Sequence, residues 1–232
     1  DAEGVSTFQR NIERIVDLSA VGLQVDAELA ASFHGGRSGY LSRCSFLSLY
    51  RFALVLNGRW DSADWKKARE AGREEQFLAD PNNMERFSRI FKQLSLEYKL
   101  SNINQAKAFA RYLDAVDCFY TDQETDLEMV DHFSEEELEI IGLLEHQRWL
   151  QEHYDMGWIY GTPERARREL DRLHPDMIPG FDPAQGLVTQ ERAQANYLRL
   201  SCDEQEKDTA PMECMLAMLR MFDGLRIYRL KS

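Results

Sequence analysis

The segment Leu143–Gly161, LLEHQRWLQEHYDMGWIYG, concentrates two histidines, two tryptophans, two tyrosines and an arginine. Side chains of these types bind metals, stack on planar ligands or fill cores. Metal binding fits poorly. His146 and His153 share one helix face, but two turns separate them by roughly 10 Å along the axis. Zinc sites on helices favour i,i+4 spacing, and His174 lies in a loop. No metal site and no cofactor are expected. Nucleophilic catalysis has no better support. There is no Gly-x-Ser-x-Gly elbow, no cysteine with an activation signature, and no Gly-x-x-x-x-Gly-Lys-Ser loop. The glycine-rich HGGRSGY, His34–Tyr40, carries Arg37 but lacks the preceding strand of a phosphate loop, so it is read as a connector. The chain is not expected to be an enzyme. Trp158 and Tyr160 stand beside the amides of a helix end and next to the arginines of TPERARRELDRL. Rings plus arginines suit a planar ring carrying phosphate. Core packing is the other use of Trp149 and Trp158.

These residues need a scaffold, and the apolar periodicity is helical nearly throughout. Phe8, Ile12, Ile15 and Val16 fit one helix face. Cys44–Gly58 is an apolar run interrupted by Arg51, too short for the roughly 20 residues that span a bilayer, and predicts a buried helix. DSADWKKAREAGREEQFL predicts a charged, solvated helix, and DPNN at Asp80–Asn83 a turn. Phe87, Ile90, Phe91 and Leu94 share a face. Ser101 is taken as the cap of a further helix with apolar Ile103, Ala106, Ala110 and Leu113. The acidic TDQETDLEMVDH divides the chain into halves. Ser134 and Glu137 form a capping-box pattern that opens a helix running to about Asp155, where Gly157 and Gly161 end it. A proline-rich loop follows, then a helix capped by Thr189. A last helix opens at Pro211 and stops at Gly224. Leu225–Leu230 alternates and gives the one strand signal. The expected fold is mainly α, with at most a short C-terminal strand.

The formal net charge of −12 over 232 residues disfavours binding to bulk nucleic acid or anionic membrane. It does not exclude a small anionic ligand in a local basic pocket. Cys44, Cys118, Cys202 and Cys214 include no Cys-x-x-Cys pair and fit buried thiols in a reducing compartment. A cytoplasmic location without membrane contact by this chain is expected. The chain opens with Asp1, so a further fused domain is envisaged.

EHQRWLQEHYDMGWIYG, followed by LHPDMIPGFD and EQEKDTAPMECMLAMLRMFDGLRIYRL, resembles the ryanodine receptor (RyR) repeat. The shared parts are a Glu-His-x-x-Trp helix, a Gly-Trp-x-Tyr-Gly ending, a His-Pro loop and a Glu-x-x-Lys-Asp phrase before a second helix. FKQLSLEYKLSNINQAKAFARYL is similar to the second helix of a repeat in bacterial relatives. The resemblance implies tandem repeats packed as a pseudo-symmetric pair: a degenerate first repeat over 41–122, which lacks the His-Pro and Gly-Trp-x-Tyr-Gly parts, and a second over 133–232 with an insertion between Phe181 and Cys202. Residues 1–40 stay unassigned.

By resemblance, the function is ligand sensing or regulation, with a small nucleotide-derived ligand, in a signalling or antiviral-defence protein carrying an effector or channel domain. The cleft between repeats is the expected site. His146, Trp149, Trp158, Tyr160 and His174 would form its wall, Lys99, Arg148 and Lys207 would meet phosphate, and Asn102 and Gln105 would read a base edge. Amides at the Ser101–Asn102 helix start would favour an anion. Alternatives stay open at this point. Arg148 and Glu152 pair at i,i+4 on a helix surface in one of them, and Glu204, Lys207 and Asp208 form a capping network. His146 serves either as a structural group or as a ligand contact. The rival function is a protein-interaction scaffold without a small ligand.

Overall fold

A computed structural model describes residues 46–60 and 62–230. The expected helix at Phe8–Val16, the HGGRSGY connector and Cys44 lie outside them. The chain is mainly helical. In α1 (Phe46–Gly58), Leu49, Tyr50 and Phe52–Leu56 have lost essentially all exposure, as in a central helix. α1 packs against α4 (Pro81–Lys92) and α5 (Leu96–Lys107). Gly58 lets α4 approach, since a Cβ there would stand 2.3 Å from the Phe87 ring.

The charged stretch after α1 is two helices, α2 (Ala63–Glu70) and α3 (Glu74–Ala79), parted by Gly72 at φ +62°. They are not wholly solvated: Trp65 is buried edge-on against Phe77, with ring centroids 5.5 Å apart. Asp80 caps α4, with Pro81 at its first position.

The predicted start of the next helix is corrected. Ser95, not Ser101, is the cap: its hydroxyl accepts from the Tyr98 amide, and Ser101 lies inside α5. Both serines fit a cap by type, but only Ser95 precedes Leu96 and Leu100, which pack on the core. The helix breaks at Ala108, so α6 (Phe109–Ala115) buries Phe109 while Ala110 is exposed.

β1 (Cys118–Thr121) ends the first half. α7 (Glu135–Asp155) opens on the predicted capping box: Ser134 accepts from the Glu137 amide, and the Glu137 carboxylate accepts from the Ser134 amide at 2.7 Å. Gly157 at φ +83° follows its end. Next come β2 (Ile159–Tyr160), a 3₁₀ turn, α8 (Arg168–Asp171) and β3 (Leu173–His174), and then a long loop. α9 (Gln190–Tyr197) is capped by Thr189 as predicted.

The last helix, α10 (Cys202–Asp223), starts nine residues before Pro211, under a Ser201 cap. Pro211 lies inside it and forgoes one helical hydrogen bond, a loss of about 3 kcal/mol. Burial of Met212, Met215, Leu216, Met218 and Leu219 offsets that loss. β4 (Arg226–Arg229) is the predicted C-terminal strand, and β1 is its antiparallel partner.

One core runs through both halves, joining α1, α4, α5 and α6 to Ile141 of α7, to α10 and to Ile227 of β4. A second, smaller core lies under the distal part of α7: Leu150, Tyr154, Trp158, Met177, Val188 and Ala193. Among the described residues no helix is long and apolar enough to cross a membrane.

Candidate ligand-binding cleft

α7 is about 31 Å long, and its two ends belong to different cores. Between them it forms one wall of a cleft of about 220 Å³. α5 supplies the facing wall with Tyr98, Ser101, Asn102 and Gln105. Glu204, Lys207 and Asp208, in the first two turns of α10, close one side, and the His174–Asp176 loop closes another. Trp60, just past α1, stands at the cleft 45% exposed, its ring over the Arg59 guanidinium at 4.5 Å.

The α5–α7 seam is a buried network of carboxylates and donors. Glu145, 2% exposed, receives Arg148 through two nitrogens, Nε at 2.7 Å and Nη2 at 2.6 Å. It also accepts from Gln105 at 2.8 Å and from the Tyr112 hydroxyl. Arg148 Nη1 reaches Glu152 at 2.8 Å, and Glu152 accepts from Ser101 at 2.5 Å and Asn104 at 2.7 Å. Burial opposes the charge on Glu152, but Arg148 and these donors outweigh it and hold its carboxyl below the usual range. The i,i+4 pair of Arg148 and Glu152 is therefore inside the molecule, at 14% and 16% side-chain exposure, rather than on a helix surface. Arg148 reaches the cleft already committed to two carboxylates. Lys207 is ion-paired with Glu204.

The imidazoles differ in kind. His146 is 1% exposed and engaged at both nitrogens. Nδ1 meets Asp208 at 2.9 Å. The Asn196 amide fits best with its NH₂ toward His146, donating to Nε2 and to the Asp176 carbonyl at 2.8 Å each, while its oxygen accepts from Arg199. That leaves the proton of the neutral ring on Nδ1, and protonation of Nε2 goes with a turn of the Asn196 amide that brings its oxygen to the ring. Burial lowers the His146 pKa, but the Asp208 carboxylate outweighs burial and the net shift is upward. Asp208 is itself pushed up to about 6 by burial, against the pull of His146. Asp176 is raised to about 6 by burial and by its hydrogen bond with Glu204.

His153 and His174 are held neutral, both brought down to about 4. Burial is the main cause in each, and for His174 the nearby His153 adds to it. His153 Nδ1–H donates to the Trp149 carbonyl at 2.9 Å, leaving Nε2 a bare acceptor. His174 Nδ1 accepts from the Asp176 amide at 3.2 Å, so its proton sits on Nε2. Trp149 lies among these rings, 4.1 Å from His153, 5.2 Å from His174 and 5.9 Å from His146 by centroid.

His174 owes its position to a local device. β2 and β3 pair in parallel, with the Ile159 amide donating to the Arg172 carbonyl at 2.9 Å and the Gly161 amide to the His174 carbonyl at 3.2 Å. The Gly-Trp-x-Tyr-Gly corner thus holds the His-Pro loop. A Cβ at Gly161 would press on Leu173 at 3.0 Å.

Of the residues singled out from sequence, His146, Arg148, Trp149, His174, Ser101, Asn102, Gln105 and Lys207 line this one cleft. Three do not. Trp158 is buried behind it, packed on His153 and His174, because its amide closes the helix onto the His153 carbonyl. Tyr160 lies outside, its ring under the Arg199 guanidinium at 5.7 Å. Lys99 is buried in α5 away from the cleft. Ser101 and Asn102 contribute side chains, not free helix-start amides, since α5 begins at Leu96.

A scan against protein-family models, a search of curated proteins and a search of solved structures each find no match. Sequence reasoning missed Trp60, Tyr98, Glu145, His153, Asp176, Glu204 and Asp208 as cleft residues. Glu145 and Asp176 stand beside His146 and His174 in quoted motifs, which was a usable signal. Trp60 carried none, because its place depends on the packing of α1 against α5. Among the described residues no group of three or more His, Cys, Asp or Glu side chains is placed to hold a metal.

Proposed function

We propose that the chain is a non-catalytic ligand-sensing module of the RyR-repeat type, which holds part of a small nucleotide-derived ligand between its halves in a signalling or antiviral-defence protein. The carrying observation is the convergence of residues far apart in sequence on one cleft, which is lined by indole rings (Trp60, Trp149) and amide side chains (Asn102, Gln105). A cleft of about 220 Å³ is below the roughly 300–1,000 Å³ of sites that enclose a drug-sized ligand. It fits one ring system, with the remainder of the ligand in solvent at the mouth.

The repeat reading is supported by a correspondence of elements. α1 packs on α5 as α7 packs on α10, each half ends in a short strand, and the two strands pair antiparallel. Two of the motif segments that carried the resemblance, GWIYG and LHP, are bonded to each other, and the second brings His174 to the cleft.

A thermal-shift screen with nucleosides, nucleotides and cyclic oligonucleotides tests the function. A ligand at 100 times its Kd adds about 2.7 kcal/mol, which raises the midpoint of a chain this size by about 5–11 °C. Trp60→Ala should weaken binding, since a stacked base contributes about 1–3 kcal/mol. It should leave the unliganded midpoint within about 2 °C of wild type, because surface substitutions have small effects. No midpoint rise with any ligand would leave the protein-interaction scaffold as the better account, and an unchanged rise in Trp60→Ala would put the ligand somewhere other than this cleft.

A further inference from the structure

The cleft is poorly built for phosphate and well built for an uncharged ring edge. Its two cations face four carboxyl groups, Glu145, Asp176, Glu204 and Asp208, and both cations are already paired. The uncommitted hydrogen-bonding atoms are of another kind. His153 Nε2 is an acceptor, because Nδ1–H is fixed on the Trp149 carbonyl. His174 Nε2–H is a donor, because Nδ1 is fixed by the Asp176 amide. Among the described residues neither Nε2 has a protein partner, and neither is sealed from solvent. The rings are 6.5 Å apart at 63°, both line the cleft, and Trp149 packs against both. His153 is 94% buried, its exposure being 6%.

We propose that His153 and His174 act as a backbone-fixed acceptor and donor pair that reads one edge of an uncharged heterocycle, an N–H beside a C=O or ring nitrogen, seated against Trp149. The edge could belong to a lactam or an amidine, as in oxo- or aminopurines. The ligand N–H donates to His153 Nε2, and its carbonyl or ring nitrogen accepts from His174 Nε2–H. Phosphate groups remain outside. This rests on the cleft being the ligand site and states what the cleft recognises there.

Calorimetric titration of the whole chain with inosine, adenosine, purine riboside and the 5′-monophosphates separates the cases. Purine riboside keeps the ring but lacks the exocyclic partner group. The expected result is that inosine or adenosine binds at least about tenfold tighter than purine riboside, the usual scale of one such contact. The 5′-phosphate should change affinity by less than about threefold. His174→Phe should weaken inosine binding by about tenfold, since the inosine carbonyl accepts from His174, and His174→Gln, which keeps an N–H donor, should recover part of that loss. If His174→Phe fails to fold, nitrogen NMR of the wild-type imidazoles gives the same answer: on addition of inosine both Nε2 signals should move. Equal binding of purine riboside would overturn the edge reading while leaving the cleft as the ligand site. A monophosphate preference above about tenfold would also overturn it, in favour of phosphate recognition. Absence of binding by every nucleoside and nucleotide would overturn both this inference and the ligand-site proposal.

Discussion

Arg148 gives the sharpest test of the seam that forms the cleft. Its guanidinium is 14% exposed and makes three short contacts, two to Glu145 and one to Glu152. Arg148→Met fills similar volume but leaves two carboxylates facing one another in a nearly closed space. Removing one partner of a buried ion pair destabilises by about 3–5 kcal/mol. For a chain of this size that is a fall of about 6–20 °C in the melting midpoint at pH 8. The pH dependence follows from Glu152, whose folded pKa is lowered once Arg148 outweighs burial. Its contribution is present above the ordinary carboxylate value and is lost only as pH falls through the lowered one. In the variant that attraction is gone, and burial favours the protonated acid. The difference between wild type and Arg148→Met should therefore narrow from pH 8 to pH 5. Adding Glu145→Gln and Glu152→Gln to Arg148→Met should recover at least half of the lost midpoint, because no unpaired charge then remains. Scanning calorimetry at the two pH values is the assay. A loss under about 2 °C at pH 8, or a gap that widens in acid, would refute the reasoning.

Other outcomes follow from particular contacts. Gly142→Ala places a Cβ 2.6 Å from Thr209 and 2.8 Å from the Tyr197 hydroxyl; it should cost about 1–3 kcal/mol by overpacking, read as a lowered denaturant midpoint. The His146 ring should titrate by NMR with a midpoint above 6.5, and Asp208→Asn should bring it below wild type, since Asp208 outweighs burial there. The sign for stability is that His146 contributes fully below 6.5, and that contribution is lost as pH rises through its higher folded value.

Part of the cleft was legible and part was not, for identifiable reasons. Local rules located Ser134, Thr189 and Gly224, because a cap is a contact between near neighbours in sequence. The same rules misplaced the starts of α5 and α10. Ser95 and Ser101 are equivalent locally, and Pro211 is tolerated inside a helix only because the core rewards the turns on either side of it. Trp149 and Trp158 looked alike as aromatic candidates. Only the closure of the chain at Gly157 turned one toward the cleft and the other behind it.

The amino-acid sequence by itself determined the helical class, most helix ends and the set of chemical groups that meet at the cleft, because periodicity, capping and side-chain type are local properties. Tertiary structure alone decided which charges are free. Arg148 and Lys207 look available in the sequence, but folding sets Glu145, Glu152 and Glu204 against them. It likewise decided that His153 and His174 are neutral and hold their protons on opposite nitrogens. Burial and a single backbone contact fix an imidazole's charge and tautomer, and both depend on packing.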